Sequence, residues 1–115
     1  MKWSDSTQVQ LGPDELDLLA SNISNEVVNG FKVHDFQSRI GVSEEEFKAI
    51  SKRLRSESAP EYVSMSAHKA HAFRNALALT LEELGVEDFQ TRTGHDFDHG
   101  SLILREFDRI LSESE

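Results

Sequence analysis

The chain has 115 residues, of which 37% are hydrophobic, so it can bury one small core. It has no cysteine, which excludes disulfide bonds, thiolate metal sites and a cysteine nucleophile. Its 21 acidic residues outnumber its 12 basic residues and give a net charge of −9, which disfavours direct binding to the negative backbone of a nucleic acid.

The first third of the chain predicts a flexible start followed by two helices. Residues 1–10 are mostly polar, and we expect them to be flexible. A helix should begin at Pro13, which suits the first helical position, and end near Gly30. Apolar residues recur at helical spacing between them. A short helix should follow at about residues 34–40.

Four further elements and a linker are expected after the short helix. Ser43 and Glu46 have the spacing of a capping box, so a helix should begin there. A linker at about residues 56–64 contains a proline and should lead into a long helix at about 66–84. Gly85 should close that helix. A short element and a final helix complete the chain.

Seven residues occur twice with little change. The run DFQSRIG at Asp35–Gly41 returns as DFQTRTG at Asp88–Gly94. The chain is therefore predicted to contain two copies of one unit of roughly 45 residues. We expect repeat 1 at about 13–56 and repeat 2 at about 65–112.

The predicted fold is all-α. Each repeat should form a helix, a short element and a second helix, and the two should pack as one domain over residues 11–115 with pseudo-twofold symmetry. Extended segments at 31–34 and 84–87 could pair at the axis. Because the second copy can stand in for a second subunit, we expect a monomer.

Arg39 and Arg92 hold the same position in the two motifs. One interpretation is structural, with each arginine paired to a neighbouring carboxylate. The other is functional, with an exposed arginine contacting a carboxylate or phosphate of a partner. Together with Glu44 and Glu45 at the start of an acidic helix, they are the candidate partner-binding residues.

A histidine and aspartate cluster offers a second candidate site. His95, Asp96, Asp98 and His99 form the run HDFDH, whose nitrogen and oxygen atoms could bind a transition metal. The alternative interpretation is that Asp96 or Asp98 caps the final helix.

Two motif likenesses lead to no function. The run at Phe36–Leu54 is similar to a helix-turn-helix, but glutamates stand where DNA bases should be contacted. The run around Gly100 and Glu106 is similar to an EF-hand, but His95, Phe97 and His99 would occupy positions that need calcium ligands. DNA and calcium are therefore not expected as ligands.

The first repeat also resembles a group of short, uncharacterised bacterial proteins. The residues that carry the resemblance are NEVVNG at Asn25–Gly30 and FQSRIGVSEEE at Phe36–Glu46, and it extends over residues 16–54. The resemblance implies no activity, because that group has no assigned function.

These patterns predict a small acidic interaction module of adaptor, immunity or inhibitor type, which binds a protein partner without catalysis or a cofactor. A partner with a basic surface is one version of this prediction. The alternative is a metal-binding protein that uses the loop at 95–99. The chain lacks the motifs of nucleophile elbows, phosphate-binding glycine loops and metalloproteases. It has no apolar run of membrane-spanning length and no start of signal-peptide type, so a cytoplasmic location is expected.

Overall fold

Five helices and a small sheet form the part of the chain that the structure describes. The computed structural model describes residues 2–3, 8–31, 33–56 and 63–113, and its extents are 35 × 29 × 27 Å. Strands contribute only three short segments, so the prediction of a small all-α domain is confirmed.

The first helix, α1, covers residues 13–30 in three parts. Pro13–Leu16 is α-helical, whereas Asp17–Ile23 and Glu26–Gly30 have the wider hydrogen bonding of a π-helix. The helix begins where Glu15 Oε1 accepts a hydrogen bond of 2.8 Å from the N–H of Gly12. Its apolar side is buried through Leu18, Leu19, Ile23 and Val27.

The next two helices lie close to their predicted positions, although the first of them begins two residues later than expected. Helix α2 is Phe36–Ile40 and ends at Gly41, whose φ of 109° is accessible to glycine at little cost. Helix α3 is Glu44–Ser56. It begins where the Ser43 hydroxyl accepts a hydrogen bond of 3.1 Å from the N–H of Glu46, as the capping-box spacing predicted.

The long helix α4 is Ala67–Thr93, and Gly85 breaks it with a φ of 74° and a ψ of −175°. Helical geometry resumes directly after the break, and the helix ends at Gly94, whose φ is 76°. Helix α5 is Phe97–Glu113. Both DFQ motifs therefore form helical segments that end at a glycine of positive φ. The duplication itself stays a prediction.

Three antiparallel strands form the sheet in the order β1-β2-β3. Strand β1 is Lys2–Trp3, β2 is Gln8–Leu11 and β3 is Val63–Ser66. Val9 of β2 lies opposite Met65 of β3, and both side chains are buried. The sheet thus joins the start of the first half to the start of the second.

The sheet corrects three expectations. The predicted flexible stretch 1–10 is wrong for residues 2–3 and 8–10, which form β1 and most of β2. Alternation of polar and apolar side chains lets β2 bury one face. The linker expected at 56–64 overlaps β3 at its end, while its residues 57–62 lie outside the described part. The segments expected to be extended at 31–34 and 84–87 form no strand in their described residues. Residues 84–87 belong instead to helix α4, which Gly85 interrupts.

The core draws phenylalanines from both halves. Phe47, Phe73, Phe89 and Phe107 are fully buried. The rings of Phe47 and Phe73 join α3 to α4 with centroids 4.9 Å apart, and Phe89 meets Phe97 edge to face at 5.9 Å. Burial of such large rings is the main favourable contribution to folding in a chain of this size.

Polar contacts also cross between the halves. Asn75 on α4 donates a hydrogen bond of 2.8 Å to the carbonyl oxygen of Ile40, the last residue of α2. His95 Nε2 lies 2.7 Å from a carboxylate oxygen of Asp17 on α1. Each half therefore supplies partners for polar groups of the other.

Candidate functional site

A groove lies between α1 and α3, with Arg92 of α4 at its border. Its volume is about 520 Å³, which is within the usual range for a ligand site. Three asparagines and three serines line it from α1 and α3. Four basic side chains also line it, namely Lys48, Lys52, Arg55 and Arg92. We call this feature the cationic groove.

The spacing of basic residues on α3 places three of them in the cationic groove. Lys48, Lys52 and Arg55 follow one another at intervals of four and three residues, so they lie on one face of the helix. Phe47 and Ile50 are buried from other faces of α3 and attach the helix to the core. The apolar stripe thus fixes which side of α3 faces α1.

On the floor of the groove, two hydroxyl groups link the helices. Ser24 of α1 and Ser51 of α3 are both buried, and their Oγ atoms are hydrogen-bonded to each other. This contact satisfies both hydroxyls and brings the two helices close together. This hydrogen bond therefore helps to fix the spacing of the two helices that line the groove.

The arginine at the border of the groove is held by a buried carboxylate. Arg92 Nε lies 2.6 Å from Glu26 Oε1, and the Glu26 side chain is 5% exposed against 43% for Arg92. The other oxygen, Oε2, is buried and has no hydrogen-bond partner among the described residues. It lies beside Gly30, where an added Cβ would come within 2.2 Å of it. Gly30 therefore makes room for the carboxylate.

The groove is positively charged although the chain is acidic. Lys48 is paired with Glu44 at 3.7 Å, and Arg55 donates a hydrogen bond of 2.6 Å to the carbonyl oxygen of Ala20. Neither Lys52 nor Arg55 forms an ion pair with a described residue. Counted over the residues that the structure describes, four cations less the two paired carboxylates, Glu26 and Glu44, leave two positive charges. A local field of this sign attracts an anion.

The lining of the groove consists mainly of hydrogen-bond donors and cations. None of the described residues that line the groove is acidic, and none is a histidine. It therefore presents hydrogen-bond donors and cations but lacks the groups that most often transfer protons near neutral pH. What the groove can do chemically is hold and orient an anionic group.

Of the four candidate partner-binding residues from the sequence, one lines the groove and one is paired with a residue that lines it. Arg92 lines it, Glu44 is paired with a lysine that lines it, and Glu45 is exposed next to Glu44 on α3. Arg39 on α2 is exposed and lines none of the cavities found among the described residues. The structure thus places the two motif arginines in different settings.

Lys52 and Arg55 were missed at the sequence level, where α3 was interpreted through its acidic first turn. Their interval from Lys48 was a usable signal, because it puts all three on one helix face. What the sequence did not show was that α1 would face them.

The histidine and aspartate loop is used for structure. His95 is paired with Asp17, and its ring stacks on that of His99 with centroids 5.5 Å apart. Asp96 Oδ1 accepts a hydrogen bond of 2.7 Å from the N–H of His99 and so caps α5, while Asp98 is exposed. Throughout the described ranges, no three histidine, cysteine, aspartate or glutamate side chains are grouped to hold a metal ion. The metal-binding alternative is therefore unsupported.

The glutamate of the EF-hand likeness has a different partner. Arg109 donates a hydrogen bond of 2.8 Å to Glu106 on the exposed side of α5. This bond lowers the pKa of Glu106 and raises the pKa of Arg109. The pair lies outside the cationic groove and ties the glutamate to its own helix.

Comparison with protein-family models, with curated proteins and with solved structures found no significant match for this chain. Among the helices in the described ranges, none is long and apolar enough to cross a membrane. The function proposed below therefore rests on the groove and on the charge of the chain.

Proposed function

We propose that this protein is a small interaction module that binds a protein partner and has no catalytic role. The observation that carries the proposal is the cationic groove, which gathers four of the 12 basic residues of an acidic chain. Keeping like charges together has an electrostatic cost, so their convergence on one cavity favours a ligand of opposite charge. The donor-rich lining supports recognition of an anionic group.

The surface beside the groove has the opposite charge. Glu44, Glu45 and Glu46 form the exposed first turn of α3, where negative charge also stabilises the helix. A partner would place an anionic group in the groove and basic residues against this turn. Charges of both signs next to each other fix the orientation of a partner and speed its association.

Eleven residues line the groove, whereas a stable protein complex usually involves about 20–30 residues on each side, so the groove alone is too small for such a complex. We therefore infer that the groove is the specific centre of a larger contact that includes the first turn of α3. This arrangement would suit an adaptor or an inhibitor that covers a charged surface of its target.

The test is capture of the partner with matched charge-reversed variants. Tagged wild-type protein, Lys52→Glu and Arg105→Glu are incubated with lysate of the source cells at low and moderate salt. Lys52 lines the groove, whereas Arg105 is exposed on α5 and lies outside it. We expect one stoichiometric partner that wild type and Arg105→Glu retain and Lys52→Glu loses.

The kinetics of the captured complex give a second readout. Its association rate should fall as salt is added, because steering between exposed charges is screened. Equal capture by both variants, together with an association rate that does not depend on salt, would contradict the proposal.

A further inference from the structure

We infer that the anionic group recognised by the cationic groove is a phosphate monoester. This inference rests on the proposed function, because it names the chemistry of the ligand for the same site. A phosphate monoester carries a charge of about −1.5 to −2 at neutral pH. The two positive charges that remain after pairing match a dianion more closely than the single charge of a carboxylate.

The donors in the groove also fit three phosphate oxygens. Arg55 and Arg92 present planar guanidinium groups, which match phosphate oxygens in a bidentate manner. Lys48 and Lys52 add two ammonium groups from the same helix face. Asn25 adds an exposed side-chain amide from α1. A carboxylate has two oxygens and would leave more of these donors without a partner.

The buried carboxylate that pairs with Arg92 is shielded from the ligand. Glu26 does not line the groove, and its free oxygen lies against Gly30. Its other oxygen holds Arg92 at the border. Because the guanidinium is positioned before the ligand arrives, less conformational entropy is lost on binding.

The size of the groove and the charge of the chain limit what can carry the phosphate. A volume of about 520 Å³ has room for a phosphate and for the atoms next to it. A nucleic acid would bring many more charges against a chain of net charge −9 and would be repelled. The carrier is therefore a single phosphate, on a phosphorylated side chain of the partner or on a small phosphorylated compound.

The inference is tested by calorimetric titration of the full chain with four probes. Three are peptides of one sequence that carry phosphoserine, glutamate or serine at the central position, and the fourth is inorganic phosphate. We expect the phosphoserine peptide to bind at least about tenfold more tightly than the glutamate peptide, because a dianion forms more charge-assisted hydrogen bonds. The serine peptide should not bind measurably.

Two variants show whether binding occurs in the groove. Lys52→Ala and Lys48→Ala remove exposed cations that line it, so the fold should be retained and phosphate affinity should fall by roughly five- to tenfold. Arg105→Ala removes an exposed cation on α5 and should bind like wild type. Circular dichroism checks that all three variants are folded.

The probes distinguish the two carriers. A phosphoserine peptide that binds more tightly than inorganic phosphate supports a phosphorylated partner, whereas equal affinity supports a small phosphorylated compound. Equal affinity for the glutamate and phosphoserine peptides would overturn the phosphate inference and leave the proposed function standing. The absence of saturable binding by any phosphate probe, or equal losses in Lys52→Ala and Arg105→Ala, would also overturn it.

Discussion

Removal of Arg92 should destabilise the fold because it would leave Glu26 buried without a partner. The Glu26 side chain is 5% exposed, and the arginine is the cation that lies 2.6 Å from it. A carboxylate without its counter-charge loses hydration in the folded state but regains it on unfolding. The free energy of unfolding should therefore fall in Arg92→Ala.

The size of the loss follows from the burial of the two partners. Breaking a fully buried pair costs about 3–5 kcal/mol, whereas an exposed pair contributes about 0–1 kcal/mol. Arg92 is 43% exposed, so water screens the pair in part. We expect a loss of about 2 kcal/mol between those limits. In urea unfolding followed by circular dichroism, the midpoint should fall by roughly 1 M, because the slope is about 1–3 kcal/mol per M.

Two comparisons separate the ion pair from a general effect of losing an arginine. Arg39→Ala changes the matching position of the other motif, and this exposed residue has no ion pair with a described residue, so its cost should stay within about 0.5 kcal/mol. In a Glu26→Gln background, Arg92→Ala should cost less than half of what it costs in wild type. Equal losses in Arg92→Ala and Arg39→Ala would refute the reasoning.

Three further substitutions can be tested by the same urea titration. Asn75→Ala should cost about 1 kcal/mol by removing the hydrogen bond to the last carbonyl of α2, and no loss would mean that water replaces it. Asp96→Ala should lower the free energy of unfolding by about 1 kcal/mol, because it removes the cap of α5. Asp98→Ala should lower it by less than about 0.5 kcal/mol. A larger loss in Asp98→Ala than in Asp96→Ala would assign the cap to Asp98. Gly100→Ala should cost about 1–3 kcal/mol although alanine favours helices, because the added Cβ would come within 2.7 Å of the Phe89 ring. Greater stability in that variant would show that the ring can move aside.

The helices were predictable because their ends are encoded by local residues. Ser43 caps the helix that follows it, as its spacing to Glu46 predicted, and Gly41 and Gly94 adopt positive φ where the two motifs end. Gly85 was predicted as a stop as well, but the chain resumes helical geometry after it. Local signals thus identify a break in a helix without showing the direction in which the chain continues.

Strand β2 was not predictable because its partner is distant in the sequence. Gln8–Leu11 is only four residues long, and its pairing with β3 requires Val63–Ser66 to lie beside it. A strand this short has no stability by itself. The polar residues around the strand therefore led to the prediction of a flexible N-terminal stretch.

The candidate site was predictable in part. Repetition of the motif drew attention to Arg92, which does line the groove. The same reasoning gave equal weight to Arg39, which lies elsewhere. Lys52 and Arg55 become a site only when α1 packs against α3, and that depends on the tertiary structure.

The pairing of β2 with β3 has a consequence for how the protein folds during its synthesis on the ribosome. Residues 8–11 are synthesised well before residues 63–66. During the synthesis of α1 to α3, the apolar side chains of Val9 and Leu11 therefore lack the strand that helps to bury them. The nascent first half is therefore incomplete, and it exposes surface on which chaperones can act. Only when β3 emerges can the sheet close and join the two halves.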